Sequence, residues 1–366
     1  MEAYNYQFTA LRGVQAGREY YVAMCPLKLI PKIFLFDEEE IPAELRAQRV
    51  LNKTRIPEIS RYIINNTNEY VFSSITASID GEVSFEPLNA HGYGRNAGIL
   101  TVSMMSRFLI NDGQHRRAAI EEALRVTPGI GDETISVVFF LDSGLERSQQ
   151  IFADLNKHAV RPTKSIGILY DRRDPFARLS VELTNNVPIF KGLTEMEKTS
   201  ISNRSTKLFT LSAIYQATQA LLNRGKSDDV EHGDFVMACE FWTSLGGVVP
   251  EWRLIISRQI TASELRRDYV HSHGVLLHAL GIVGRSLLET YPDNWKEYLG
   301  PLAEIDWLRA NPLWEGRAMI HGRMSKAGDS VVLTANAIKD ILGLPLNATE
   351  MEVENRCSLP TMTQRG

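Results

Sequence analysis

The chain is short of cysteine, of long apolar runs and of net positive charge, and each shortage narrows what it does. Three cysteines, Cys25, Cys239 and Cys357, stand far apart among 366 residues. A disulfide framework needs a dense, even set and a zinc site needs closely spaced ligands, so neither is expected, nor is a redox role assigned to any of the three. No stretch approaches the roughly 18 uninterrupted apolar residues of a spanning helix, which excludes a membrane partner. The opening MEAYNYQFTALRG has no basic start and no apolar core. No signal peptide is therefore expected, and the reading is a cytoplasmic protein. Forty Lys and Arg against 44 Asp and Glu leave a formal charge of -4. Proteins that coat nucleic acid over their whole surface carry a basic composition, so only a local basic site is compatible with this balance. Gly-x-Ser-x-Gly, His-Glu-x-x-His and kinase motifs are missing, as are internal repeats and low-complexity tracts.

What is present is globular: 44% apolar and 23% charged residues, in a length that suits two domains. The first hundred residues read as strands with one helical insert. Tyr4 to Leu11 and Glu19 to Cys25 form an opening hairpin around Gly13 to Gly17, and Lys32 to Phe36 fits a third strand. A helical pattern opens at Pro42 and runs to about Ile64, with a break near Pro57. Tyr70 to Ile79 reads as a strand that ends in the Asp80-Gly81 turn. Strands at Ile99 to Met104 and Arg107 to Ile110 precede a helix over Gln114 to Val126, and Ser136 to Leu141 is a buried strand. Helices are read at Leu145 to Asn156, Ser165 to Asn185, Leu208 to Asn223, Asp234 to Leu245, Thr261 to Tyr291 and Ala335 to Leu342. This divides the chain into an N-terminal domain over 1–207, a helical domain over 208–350 and a frayed polar tail over 351–366.

The most informative segment is RFLINDGQHRRAAIEEAL, residues 107–124. An apolar strand runs into Asp112-Gly113 and a helix begins at once. Asp112 is placed to cap the helix, and Gly113 removes the side chain at the tightest point. Gln114, His115, Arg116 and Arg117 occupy the first turn, where free N–H groups, the positive end of the macrodipole and two guanidiniums converge. That combination attracts an anion, and phosphate is the usual one. The blander reading pairs Arg117 with Glu121 and Glu121 with Arg125 along a solvated helix face, and makes His115 a buried, hydrogen-bonded histidine.

DGQHR followed by a helix of small residues resembles the signature of the DGQHR-domain proteins, relatives of the ParB/sulfiredoxin-like fold. The order downstream is similar too. A strand is followed by a helix ending in IFADLN, residues 151–156, where ParB-like proteins carry a Glu-Asn box, and then by a basic turn from Lys157 to Lys164. The resemblance narrows to the DndB family of bacterial DNA phosphorothioation (sulfur-modification) systems. It does so on FTALRGVQAGREYYVAMCPLKLI, RAQRVLNKTRIPEISRYI, YVFSSITASIDG, NDGQHRRAAI, FADLNKHAVRPTKS, DYVHSHGVLLHALG and NPLWEGRAMIHGR, which together span nearly the whole chain. It implies an α+β fold, with a ParB/sulfiredoxin-like mixed-sheet N-terminal domain and a mainly helical C-terminal domain. It also implies an accessory or regulatory role, with DNA binding and transcriptional repression of the modification operon. Gly113, Gln114, His115, Arg116 and Arg117 would then bind phosphate or nucleotide.

Charge is distributed to match. Residues 157–207 hold ten bases and five acids, +5, and the rest of the chain is therefore at -9. Arg95, Asn156, Lys157, Arg161, Lys164, Arg172 and Arg173 are the candidates for the DNA backbone, and the competing reading is a solvated helical surface. Expected partners are duplex DNA and other proteins of the phosphorothioation system, with a homo-oligomer also compatible. The alternative function is an ATP or CTP hydrolase, or a DNA nickase, using magnesium, with Asp112 or His115 as acid, base or metal ligand. A third is a scaffold that uses the helical half as an interface.

Other signals carry less. GYGRNA, residues 92–97, fits the dinucleotide fingerprint by letter, but a strand rather than a helix is expected after it. Gly225-Lys226-Ser227 lacks the first glycine of a phosphate loop, since Ala220 stands there. His271, His273 and His278 are read as structural histidines and no metal site is expected. Trp242, Trp252, Trp307 and Trp314 are read as core.

Overall fold

The computed structural model describes residues 4–34, 54–143, 147–157, 162–225, 228–325 and 327–358. The chain is mixed α/β and divides into two compact units, Met1–Val160 and Arg161–Gly366.

The first unit opens with a hairpin of β1 (Asn5–Gln15) and β2 (Arg18–Pro26). Gln15 faces Arg18 in the register, and both turn residues, Ala16 and Gly17, have positive φ, of 50° and 73°. Two left-handed residues in a two-residue loop match the twist of the strands they join. The chain next makes a 3-10 turn over Leu27–Leu29 and the short helix α1 (Ile30–Ile33), not the strand expected from residue 32. Leu27, Ile30 and Ile33 are buried at three-residue spacing, a helical period hidden within a run of apolar letters. The pattern from Pro42 falls largely on residues outside those described. Its last part is α2 (Arg55–Asn65), where Pro57 sits in the first turn and starts the helix instead of breaking it.

Five more strands complete a seven-stranded sheet: β3 (Ile75–Asp80), β4 (Val83–Pro87), β5 (Ala97–Ser103), β6 (Arg107–Asp112) and β7 (Thr134–Leu141). The order is β4-β5-β1-β2-β7-β3-β6, antiparallel throughout except for the parallel β3–β7 pair. Between β6 and β7 the chain forms α3 (Gln114–Val126), which packs on α1 and α2. Phe8, Ala23, Ile75, Val137 and Phe139 point from the sheet into the core that these helices cover. After β7, α4 (Ser148–Lys157) packs against β6.

The second unit is helical. Helices α5 (Lys164–Tyr170) and α6 (Pro175–Asn186) pack on α7 (Leu211–Leu222), so the contacts group them with the helical body, whereas the sequence reading placed them before a boundary at 207. A two-stranded parallel sheet of β8 (Thr194–Glu195) and β9 (Phe209–Thr210) precedes α7. Then come α8 (His232–Val248), α9 (Pro250–Ile256), α10 (Ala262–Asp268) and α11 (Gly274–Thr290). The single helix expected over Thr261 to Tyr291 is thus two, parted by extended Tyr269 and a 3-10 turn at Val270–Ser272. Trp242, Trp252, Trp307 and Trp314 are all fully buried in this unit's core.

Near the C-terminus lie the two-residue strands β10 (Met319–Ile320) and β11 (Arg323–Met324), then α12 (Gly328–Ile341) and α13 (Ala348–Ser358). The stretch read as a frayed tail from 351 is therefore helical as far as Ser358, and residues 359–366 lie outside the described set. Two acids at its start reach back to partners in the fold. Glu350 meets the buried Lys339 ammonium at 2.6 Å, and Glu354 takes both terminal nitrogens of Arg317 at 2.6 and 3.1 Å. Among the described residues, no helix is long and apolar enough to cross a membrane.

Candidate functional site

The strand–turn–helix of residues 107–126 forms where the sequence placed it. Gly113 joins β6 to α3 at φ 106° and ψ 15°, a left-handed conformation that a side chain would strain. A Cβ there would also come within 3.0 Å of Ile75 Cγ1 and 3.1 Å of Arg116 Nη2. Just before it, β6 bulges: Ile110 faces Ala77 but Asp112 faces Thr76, so Asn111 is the extra residue. The bulge buries the Asn111 side chain completely, where its Nδ2 donates to Ser78 Oγ at 2.8 Å.

Asp112 does not cap the helix, which corrects the expectation. Gly113 occupies the N-cap position with no side-chain cap, because Asp112 falls one residue too early to reach the first-turn amides. Its carboxylate instead accepts from Arg116 Nη2 at 2.6 Å. Arg116 Nη1 also donates to Ser73 Oγ, which ties the helix to the segment before β3. Arg117 pairs with Glu121 as the blander reading had it, but inside the protein and not on a solvated face. It is buried, it donates through Nε to Phe34 O at 2.9 Å, and it pairs with Glu121, which also pairs with Arg125 at 2.9 Å. Arg117 thus ties α3 to the end of α1, and its guanidinium is spent on protein partners.

Three polar atoms around the turn are buried without a partner: Asn111 Oδ1, Gln114 Nε2 and Arg116 Nε. Gln114 is only 8% exposed, so its orphaned amide is costly. His115 is partly buried on the same turn. Burial pulls its pKa below the usual histidine value, Arg55 and Arg116 push it the same way, and Asp112 opposes them. It is therefore neutral at pH 7. The turn thus gathers an uncapped helix start, one arginine at its mouth, a neutral imidazole and two orphaned donors, which suits an acceptor-rich ligand.

The remaining candidates are dispersed. Arg95 is exposed on the 3-10 turn Gly92–Asn96, where its carbonyl accepts from Arg12 Nη2 at 3.0 Å, and β5 follows as a strand, so the dinucleotide fingerprint has no helix. Lys157 is exposed at the end of α4, while the side chain of Asn156 and all of Arg161 lie outside the described residues. Lys164, Arg172 and Arg173 are exposed and belong to the second unit, not to the unit that holds the turn. The Gly225 motif falls partly outside the described residues.

Two histidines of the second unit, His271 and His273, are hydrogen-bonded within the fold. His271 Nδ1 accepts from Trp252 Nε1 at 3.1 Å, which leaves the proton on Nε2 to donate to Glu251 at 3.1 Å. His273 Nε2 donates to Arg266 O at 3.0 Å. Among the described residues, no three His, Cys, Asp or Glu cluster as metal ligands. Sequence reasoning missed Asn111, Ser73 and Arg55. Only Asn111 left a trace, as a polar residue in an otherwise apolar strand.

A family model described as "DndB: DNA-sulfur modification-associated" matches residues 8–345, and so spans both units. No curated protein and no solved structure matches the chain.

Proposed function

The chain belongs to the DndB family of DNA-sulfur-modification-associated proteins, and we propose that it serves that system as a DNA-binding regulator, repressing the modification operon. The strand–turn–helix at Gly113 holds backbone phosphate. The observation that carries this reading is the set of buried donors with nothing to donate to, Gln114 Nε2 and Arg116 Nε, beside a helix start that no side chain caps. A protein that used this turn only for packing would gain by satisfying them. Gly113, Gln114, His115 and Arg116 are the binding set, with Asp112 as the internal counter-ion that a phosphate displaces. A ParB/sulfiredoxin-like kinship of the first unit is part of the same reading, supported by the order β6–turn–α3–β7.

A second reading, nucleotide hydrolysis or nicking at the same turn, is favoured by one feature. His115 is held neutral and so is competent to accept a proton.

Fluorescence anisotropy with labelled duplex DNA, carrying either the operon's own promoter or an unrelated sequence, tests the first reading. Arg116→Ala should weaken binding roughly 10- to 100-fold on both duplexes and lower the salt slope by about one. Wild-type protein that binds neither duplex at low salt rules the reading out. Turnover of ATP or CTP that disappears in His115→Ala would support the second.

A further inference from the structure

We infer that the second unit carries its own contact for nucleic-acid backbone, a loop over residues 196–208 that Arg266 holds with its carbonyls inward and its amides outward. The inference rests on the DNA-binding reading and adds to it a contact remote in sequence from Gly113.

The chain leaves β8 at Glu195 and returns at Phe209 beside it, so the ends of the loop are joined by the β8–β9 pair. Its interior is organised by one side chain. Arg266, on α10, donates through Nη2 to Ser202 O, Asn203 O and Ser205 O at 3.0, 3.1 and 2.9 Å, and through Nη1 to Lys207 O. Ser263, on the same helix, donates to Asn203 O at 2.7 Å. The stem is fixed as well: Ser165 Oγ donates to Lys198 O at 2.9 Å, and Thr163 Oγ1 donates to Glu197 O.

Peptide planarity then sets the other side of the loop. In a trans peptide the N–H points opposite to the C=O of the preceding residue, and the described chain has no cis bonds. Carbonyls of Ser202, Asn203 and Ser205 that face the guanidinium therefore turn the amides of Asn203, Arg204 and Thr206 away from it. Those three residues are all exposed. The loop also offers five hydroxyls, from two threonines and three serines, and the exposed bases Lys198 and Arg204 against one acid, Glu197. Lys164 follows Thr163 at the anchored stem and is exposed too. Lys207 is not part of the outward set, since its ammonium donates to Gly192 O at 2.9 Å.

Outward amides, short hydroxyls and two or three cations on a pinned backbone fit the oxygens of a phosphodiester chain. Backbone amides, hydroxyls and cations of this kind fix a duplex in place through its phosphates and by themselves carry no sequence information. The occupant is the backbone of duplex DNA, read without regard to sequence. Arg266 acts as a positioning residue. Its charge is consumed by four carbonyls, and its planar fork is what a lysine cannot reproduce.

The test is a salt titration of duplex binding by the full chain, in three variants. Lys164→Ala/Lys198→Ala/Arg204→Ala should lower the salt slope by about two to three, with an unchanged thermal midpoint. Arg266→Lys keeps the net charge, so any loss of affinity reports loop geometry. Weaker binding is expected, together with faster amide exchange confined to the loop. Arg116→Ala separates the two sites. If it abolishes binding while the triple variant keeps the wild-type slope, the loop inference is overturned and the Gly113 reading stands. If the triple variant loses binding while Arg116→Ala does not, the Gly113 reading fails and the loop carries the DNA. Loosening of the loop in Arg266→Lys with unchanged affinity overturns the positioning role.

Discussion

The two units treat their buried polar atoms in opposite ways. Among the described residues, five buried side-chain polar atoms lack a partner, and three of them, on Asn111, Gln114 and Arg116, surround a single turn of the first unit. The second unit buries more charge and leaves less unpaired. Lys339, only 1% exposed, meets Glu350, His271 is bonded on both ring nitrogens, and Arg266 spends its donors on carbonyls. Burial of a polar group is costly unless it is hydrogen-bonded, so satisfied burial holds a fold together, while unsatisfied burial marks a place kept ready for something else. The helical unit thus satisfies nearly all of its polar interior, while the strand–turn–helix leaves three of its buried polar atoms unsatisfied.

Breaking the better-satisfied side should have the largest effect. Glu350→Gln leaves the Lys339 ammonium buried without its counter-charge, and a loss of about 3 to 5 kcal/mol in urea denaturation is expected. A loss under 1 kcal/mol would mean that α13 is not held by this pair, and the contrast between the units would weaken.

Acid should come next. Burial lowers the pKa of His271 and His278 and brings His273 down to about 4. The unfolded chain takes up these protons near pH 6.5, and the folded chain does so only at lower pH. Stability is therefore complete above about pH 6.5 and falls as the pH drops toward 4, with His273 alone accounting for on the order of 3 kcal/mol. Denaturation midpoints measured from pH 7 down to pH 4.5 should decline, and His273→Gln should flatten that decline. A midpoint that stays level across this range in wild type would contradict the account.

The smallest expected change in stability sharpens the comparison most. Gln114→Leu removes an amide that has no partner for its nitrogen, so the fold should be unchanged or gain up to about 1 kcal/mol while duplex binding weakens roughly 2- to 12-fold. Clear destabilisation would show that the amide is satisfied after all, and the turn would then resemble the helical unit.

Much of this was legible in the letters. The hairpin around Ala16-Gly17, the strand into Gly113, the helix from Gln114 to Val126 and the four core tryptophans all follow from local period and turn chemistry. Local signals failed where a distant partner decided the outcome. Residues 351–358 look like a polar tail because nothing near them in sequence announces Lys339 or Arg317. The helix expected through residues 269–273 is interrupted where the buried His271 ring bonds Trp252 and Glu251, both outside it. At the site, Arg116 and Arg117 are equivalent as letters, yet one stands at the mouth of the turn and the other is consumed by Phe34 O and Glu121.

By itself the sequence determined the class of the fold, the position of the glycine turn and the family to which the chain belongs. These depend on patterns within about 20 residues or on the order of motifs along the chain. Tertiary structure alone decided which donors are spent and which are left over, and that Arg266 and Ser263 draw the carbonyls of a serine-rich loop inward. Hydrogen-bond satisfaction is settled by partners tens of residues away, and no local pattern records them.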